Sequence, residues 1–153
     1  MSTRVELATA PFDPARLLGD FTRALEGEGA VVSFTGHARG AARDGLQVDA
    51  LVLESYRGVT LASMEAIAAD ALRRFAITRC MAIHRAGAIG PGEAIVFVAT
   101  ASAHRRAAFE AADYLMDRLK TEAVFWKREE GPGGARWIEP TEADRADAAR
   151  WQD

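Results

Sequence analysis

The chain has 153 residues, 49% of them hydrophobic, and a formal net charge of −3, so one substantial core and a single domain over residues 1–153 are expected, with disorder confined to the ends. The negative balance excludes a general nucleic-acid binder, which needs many phosphate-neutralising cations on one face. No run approaches the roughly 18 apolar residues of a membrane span, and MSTRVELATAPF at the start lacks the apolar stretch of a secretory signal, so a cytoplasmic protein without membrane contact is expected.

Asp13-Pro14 is a helix start, an N-cap followed by proline at the first helical position, and Leu17, Leu18, Phe21 and Leu25 form one apolar face behind it. Ala30 to Thr35 reads as a buried strand, Gly36 to Gln47 as an exposed loop, and Val48 to Tyr56 as the next strand. Thr60 is placed to cap a second helix in which Leu61, Met64, Ile67, Ala68, Ala71, Leu72 and Phe75 recur at helical spacing. Ile77 to His84 and Glu93 to Thr100 read as central strands joined across Gly87 to Gly92, with Pro91-Gly92 in the turn. Ser102 is placed to cap the third and longest helix, running to about Lys120 with Ala108, Ala112, Leu115 and Leu119 on one stripe. Ala123 to Glu130 and Ala135 to Glu139 form a hairpin across Gly131-Pro132-Gly133-Gly134, and Thr141 to Trp151 reads as a terminal helix. At least two hairpins among alternating helices and strands favour α+β with a mixed sheet over a doubly wound parallel sheet.

The single cysteine, Cys80, excludes an internal disulfide and a thiolate cluster within one chain, and its apolar surroundings from Ile77 to Ile83 suit a buried, inert thiol. The histidines are too isolated to suggest a metal site, and no Ser-His-Asp order or His-Glu-x-x-His pattern is present. Among 19 basic residues only Lys120 and Lys127 are lysine, and they lie seven positions apart. Arginine stays charged at any working pH, whereas burial or a neighbouring cation lowers a lysine pKa until the amine serves as acid, base or nucleophile. The alternative reading is that two surface lysines stand close by chance.

Two further groups bear cations. Ser102-Ala103-His104-Arg105-Arg106 opens the long helix, where unpaired N–H groups favour an anion, although a solvated arginine pair fits the same residues. Gly36-His37-Ala38-Arg39-Gly40 sets basic side chains between glycines that allow close backbone approach, and an exposed turn is again the alternative. His84, among apolar residues, reads as a hydrogen-bonded structural histidine.

In order and spacing, VVSFTGHARG, LVLESYRG, AIHRAGAIGPGEAIVFV, SAHRRAAFEAADYLMDRLKTEAVFWKRE and RWIE resemble the large-subunit family of molybdopterin synthase, the MoaE family. The resemblance runs from about Gly29 to Glu139, and its specific part is Ser102 to Glu129. It implies an α/β-hammerhead-like fold with a mixed, largely antiparallel sheet. It also implies a heterotetramer: a central homodimer with a small ubiquitin-like sulfur carrier of MoaD type at each end. The carrier's C-terminal thiocarboxylate would pass sulfur to cyclic pyranopterin monophosphate, forming the dithiolene of molybdopterin in molybdenum cofactor biosynthesis. Sulfur then arrives on the partner, and neither a cofactor nor a reactive thiol of this chain's own is implied.

By matching motifs, Lys120 and Lys127 correspond to the catalytic lysines. His37, Ala38, Arg39, His104, Arg105, Lys120, Lys127, Arg128 and Glu129 correspond to substrate-binding positions. Relatives often carry lysine where this chain has His37, and Gly40 to Gly45 departs from their usual polar loop. His104 and Lys120 stand 16 positions apart on one helix, roughly 24 Å along its axis, so the resemblance and the helix geometry together imply sites shared across a two-fold dimer. A non-catalytic scaffold for a ubiquitin-like partner and a stand-alone anion-sensing domain are the rival readings. Both lysines standing in an otherwise arginine-only chain speaks against the scaffold.

Overall fold

The computed structural model describes residues 1–56 and 58–152. In chain order the elements are β1 (Ser2–Ala8), α1 (Pro14–Arg23), β2 (Ala30–His37), β3 (Ala50–Ser55), α2 (Val59–Arg74), β4 (Ile77–Arg85), β5 (Gly87–Ile89), β6 (Ala94–Ser102), α3 (Arg105–Glu122), β7 (Phe125–Gly131), β8 (Gly134–Ile138) and α4 (Glu142–Ala149). They form two four-stranded sheets, ordered β1-β4-β6-β2 and β5-β3-β7-β8. Every neighbouring pair is antiparallel except β1 with β4, so the α+β class with mixed, largely antiparallel sheets is what the chain adopts. Among the described residues, no helix is long and apolar enough to cross a membrane.

The apolar runs of β4 and β6 follow from helices covering both faces of the first sheet. Cys80, Ala82, Val96 and Val98 point to α2 and α3, where they meet Met64, Ile67, Ala68 and Leu115. The alternate residues Met81, Ile83, Phe97, Ala99 and Ala101 point to α1 and meet Leu17 and Phe21. Each fully buried Val, Leu, Ile, Met or Phe among them contributes about 1.5–3 kcal/mol, which fixes the register of both central strands.

Helix α1 begins as its sequence predicts: the Asp13 carboxylate accepts from Ala15 N–H at 3.0 Å, with Pro14 at the first position. The other two expected caps are corrected. Helix α2 starts after Gly58, whose φ of +81° suits glycine. Thr60 lies inside its first turn, fully buried, accepting from Tyr56 N–H at 2.8 Å and donating to the Val124 carbonyl. Ser102 is the last residue of β6, because strand pairing with Ala30 and Ile77 reaches that far. Its hydroxyl donates to the His104 carbonyl, and His104 is the N-cap of α3 without a side-chain bond.

Two strands go beyond the sequence reading. β1 is an edge strand whose Val5 and Leu7 pack on one core cluster and Ala8 on the other. β5 replaces part of the turn expected over Gly87 to Gly92: the chain leaves the first sheet after Arg85, bends at Gly87 (φ +94°), pairs with β3, and returns through Pro91-Gly92 into β6. The expected exposed loop is shorter and less exposed. Gly36 and His37 extend β2, Ala38 is buried, and an Ala41–Gln47 bridge closes the rest. Val48 precedes β3 and is buried there, its N–H donating to the Gly40 carbonyl at 2.9 Å.

Candidate active site

A cavity of about 510 Å³ opens where the end of β2, the segment after it, the faces of β3 and β7, and the last turns of α3 converge. That volume lies in the range of small-ligand sites, about 300–1,000 Å³. Lys120 and Lys127 both line it. Lys120 occupies the last turn of α3, where unpaired carbonyls favour a cation. Lys127 is on β7, opposite Leu53 of β3 and Ile138 of β8.

The alternation of β7 sorts its side chains. Lys127 and Glu129 line the cavity, whereas Arg128 does not. Arg128 lies over the Trp137 ring at 5.7 Å and pairs with Glu54 and, at 2.7 Å, with Glu130. The structure therefore brings together His37, Ala38, Arg39, Lys120, Lys127 and Glu129 of the residues singled out by sequence. His104 and Arg105 stand exposed at the other end of α3, outside this cavity.

The segment 37–39 is held by its backbone. Ala38 N–H donates to the Glu93 carbonyl at 2.9 Å, and Gly92 N–H donates to the Ala38 carbonyl at 2.8 Å. His37 Nδ1–H donates to the Gly92 carbonyl at 3.0 Å. At Gly36 a Cβ would stand 3.0 Å from Val96 Cγ1, so the glycine lets β2 lie close on β6. Arg39 and Arg43 line the cavity and carry no ion pair among the described residues. Glu129 lies 3.9 Å from Arg136, which offsets part of its charge. The lining is predominantly cationic and suits a small anion.

The two lysines differ in setting. Burial pushes the Lys127 amine below the ordinary lysine range, the charge of Lys120 pushes it the same way, and Asp144 opposes them. Lys120 is half-exposed and its Nζ donates to Asp144 Oδ1 at 2.9 Å. Burial would raise the Asp144 carboxyl, but the Thr141 N–H and Lys120 hold it down at about 2. His84 also lines the cavity, stacked on Phe125 with ring centroids 4.3 Å apart. Burial pushes its imidazole down to about 4, against the bond from Nδ1–H to the Arg85 carbonyl at 2.9 Å and with help from the Lys127 charge. The ring is neutral near pH 7, with Nε2 as its acceptor.

Sequence reasoning passed over His84 and Asp144 as site residues. The apolar run around His84 hid its contact with the cavity, and nothing near Asp144 in sequence points to Lys120. Cys80 is buried, its Sγ 3.8 Å from the Ala68 carbonyl, and burial pushes its thiol up to about 12, which leaves it unreactive near neutral pH. Among the described residues no group of three or more His, Cys, Asp or Glu side chains is arranged to hold a metal.

The family model for the MoaE protein matches residues 7–122. The chain belongs to the MoaE family. Among relatives of this MoaE chain, the molybdopterin synthase catalytic subunit of Caulobacter vibrioides is 55% identical over 150 residues, covering 96% of each chain. The solved structure of the molybdopterin biosynthesis MoaE protein from Burkholderia ambifaria superposes with a TM-score of 0.83 at 36% identity, covering 99% of each chain. The structure of molybdopterin synthase from Staphylococcus aureus superposes with a TM-score of 0.77 at 28% identity, over 87% of this chain and 95% of that one. The two-sheet arrangement described above is thus the fold of MoaE proteins.

Proposed function

We propose that this chain is the catalytic subunit of a molybdopterin synthase, taking sulfur from the C-terminal thiocarboxylate of a small ubiquitin-like subunit and passing it to cyclic pyranopterin monophosphate. The observation that carries the reading is that Lys120 and Lys127, the two lysines of an arginine-rich chain, line one cationic cavity although they belong to different elements. The names of the relatives support it twice over, since a catalytic subunit has at least one other subunit beside it. The proposal includes a cytoplasmic location.

In this reaction each thiocarboxylate sulfur forms a C–S bond with a side-chain carbon of the pterin while a C–O bond at that carbon breaks. The oxygen leaves with the opened cyclic phosphate at one carbon and as water from the carbonyl carbon, where loss of the neighbouring C–H proton makes the double bond. The carrier stays joined as an acyl thioester. Water then cleaves the acyl–sulfur bond, giving hydroxyl to the acyl carbon and a proton to sulfur. A dithiolene holds two sulfurs, so two carriers are consumed for each product. Arg39 and His37 hold the cyclic phosphate, Lys127 moves protons as the amine with the lowered pKa, and Lys120 supplies positive charge where anionic sulfur reacts. The carrier tail, ending in small residues, lies extended along the apolar part of the cavity past Phe34 and Met116.

His104 and Arg105 complete the pocket from a second copy, since α3 separates them from Lys120 by roughly 24 Å. Arg128 lies outside the cavity lining of its own chain, over the Trp137 ring, and supports β7. The test is a reconstituted assay with a thiocarboxylated carrier and the cyclic pterin. Lys127→Ala and Lys120→Ala are expected to lose at least about 100-fold in turnover, and Lys→Arg does not restore it. Mixing Lys120→Ala with Arg105→Ala restores part of the activity, because some mixed dimers hold one intact site. Full turnover in both Lys→Arg variants refutes the acid/base roles. Absence of complementation despite subunit exchange and inactive parents refutes the shared pocket. A chain that binds the carrier but turns nothing over is a scaffold.

A further inference from the structure

Helix α4 has no buried residue and lies beyond the stretch matched by the family model, yet one of its side chains reaches the lysine pair. Asp144 is the third residue of α4. One carboxylate oxygen accepts from Thr141 N–H at 2.9 Å, and the Thr141 hydroxyl accepts from Asp144 N–H at 3.1 Å, a reciprocal cap. The other oxygen accepts from Lys120 Nζ at 2.9 Å. Only 14% of the Asp144 side chain is exposed, against 52% for Lys120. The far end of α4 is fastened as well. Arg150 pairs with Asp113 at 2.6 Å and Asp117 at 2.8 Å, and Trp151 Nε1–H donates to Asp117 at 2.7 Å. The carboxylate is therefore set by the backbone around it, and the long lysine is the partner that is placed.

We propose that Asp144 is a positioning residue for sulfur transfer: its capped carboxylate pins the Lys120 ammonium to the cavity wall and thereby leaves Lys127 as the amine that moves protons. The inference rests on the sulfur-transfer reading above. The other charged or titratable groups lining the cavity around the pair are His84 from β4, Glu129 from β7, and His37, Arg39 and Arg43 from β2 and the segment after it. Among the described residues, none of these forms an ion pair with either lysine; Asp144 does. Its removal frees Lys120 to swing into solvent and takes a negative charge from the neighbourhood of Lys127.

Because the chain has two lysines, protein grown with lysine labelled with 13C at the ε carbon gives two side-chain signals, assigned with Lys120→Gln. The labelled full chain is titrated alone and with its carrier, and turnover is measured on the same preparations. In Asp144→Asn the Lys127 midpoint is expected to rise by roughly half a pH unit, because the Lys120 charge that swings away had lowered it more than Asp144 raised it. The Lys120 signal narrows as its side chain gains freedom, and kcat falls several-fold with little change in KM for the pterin. In Thr141→Ala, which weakens the cap but keeps the carboxylate, the Lys127 midpoint stays within error of the parent. An unmoved midpoint and linewidth in Asp144→Asn, or equal shifts in both variants, overturns the inference while lysine-dependent turnover persists. Turnover that survives loss of both lysines overturns the sulfur-transfer reading of the site, and this inference with it.

Discussion

Acidification from pH 7 to pH 4.5 should destabilise the fold through His84. The side chain is 5% exposed, and its burial holds the imidazole near 4, against an ordinary value of 6.5. Between those values the unfolded chain binds a proton at this residue that the folded chain does not. Stability contributed by the neutral ring is thus fully present above about 6.5, falls as pH falls through the window, and has gone below about 4. A difference of 2.5 pH units corresponds to about 3 kcal/mol, with a slope of about 1.4 kcal/mol per pH unit in the middle of the window. Asp44 and Asp144, both held down at about 2, act on a lower window: their contribution is lost only as pH falls below about 4. Urea unfolding at fixed protein concentration, from pH 4.5 to 7.5, measures the slope for the parent, His84→Gln and His84→Phe. The variants should start lower, having lost the bond to the Arg85 carbonyl, and their stability should be flatter with pH by about one proton. Parallel curves for parent and variants would refute the assignment of a neutral, buried His84.

Thr60→Val should cost about 1–3 kcal/mol in urea unfolding, because it strands the Tyr56 N–H and Val124 carbonyl that the buried hydroxyl joins. Thr60→Ser should recover most of the loss; equal losses would refute the hydrogen-bond account. At Gly131 a Cβ would meet the Gln47 carbonyl oxygen at 2.3 Å, a backbone atom that cannot step aside. Gly131→Ala should therefore destabilise by about 1–3 kcal/mol. Gly133→Ala, with nothing within 4 Å, should be close to neutral, and similar melting temperatures for the two variants would contradict the close approach.

What the sequence displayed and what it hid follow from the range of the forces involved. Helix α1 was legible because Asp13, Pro14 and the Leu17/Phe21 stripe are local signals. The central strands β4 and β6 were legible because helices on both faces demand unbroken apolar runs. Thr60 and Ser102 misled because a hydroxyl before an apolar stretch reads as a cap, while the tertiary structure uses one to tie α2 to Val124 and absorbs the other into β6. β1 and β5 are stabilised by distant partners, β4 and β3, and leave little pattern of their own. In the site, lysine scarcity pointed to Lys120 and Lys127 before any contact was known. The face of β7 that excludes Arg128 needed the strand register, and Asp144 reaches Lys120 across 24 positions of sequence.

Eight residues without a buried side chain make α4 an element that would be marginal as an isolated peptide in water. Its opening is a local event, lying below global unfolding in free energy. Since that helix carries the anchor of Lys120, the heat tolerance of the chemistry is tied to a surface helix without a buried side chain and not to the core beneath it. Trimming by a protease just ahead of Asp144 would cut no strand of either sheet, yet the lysine would lose its tether.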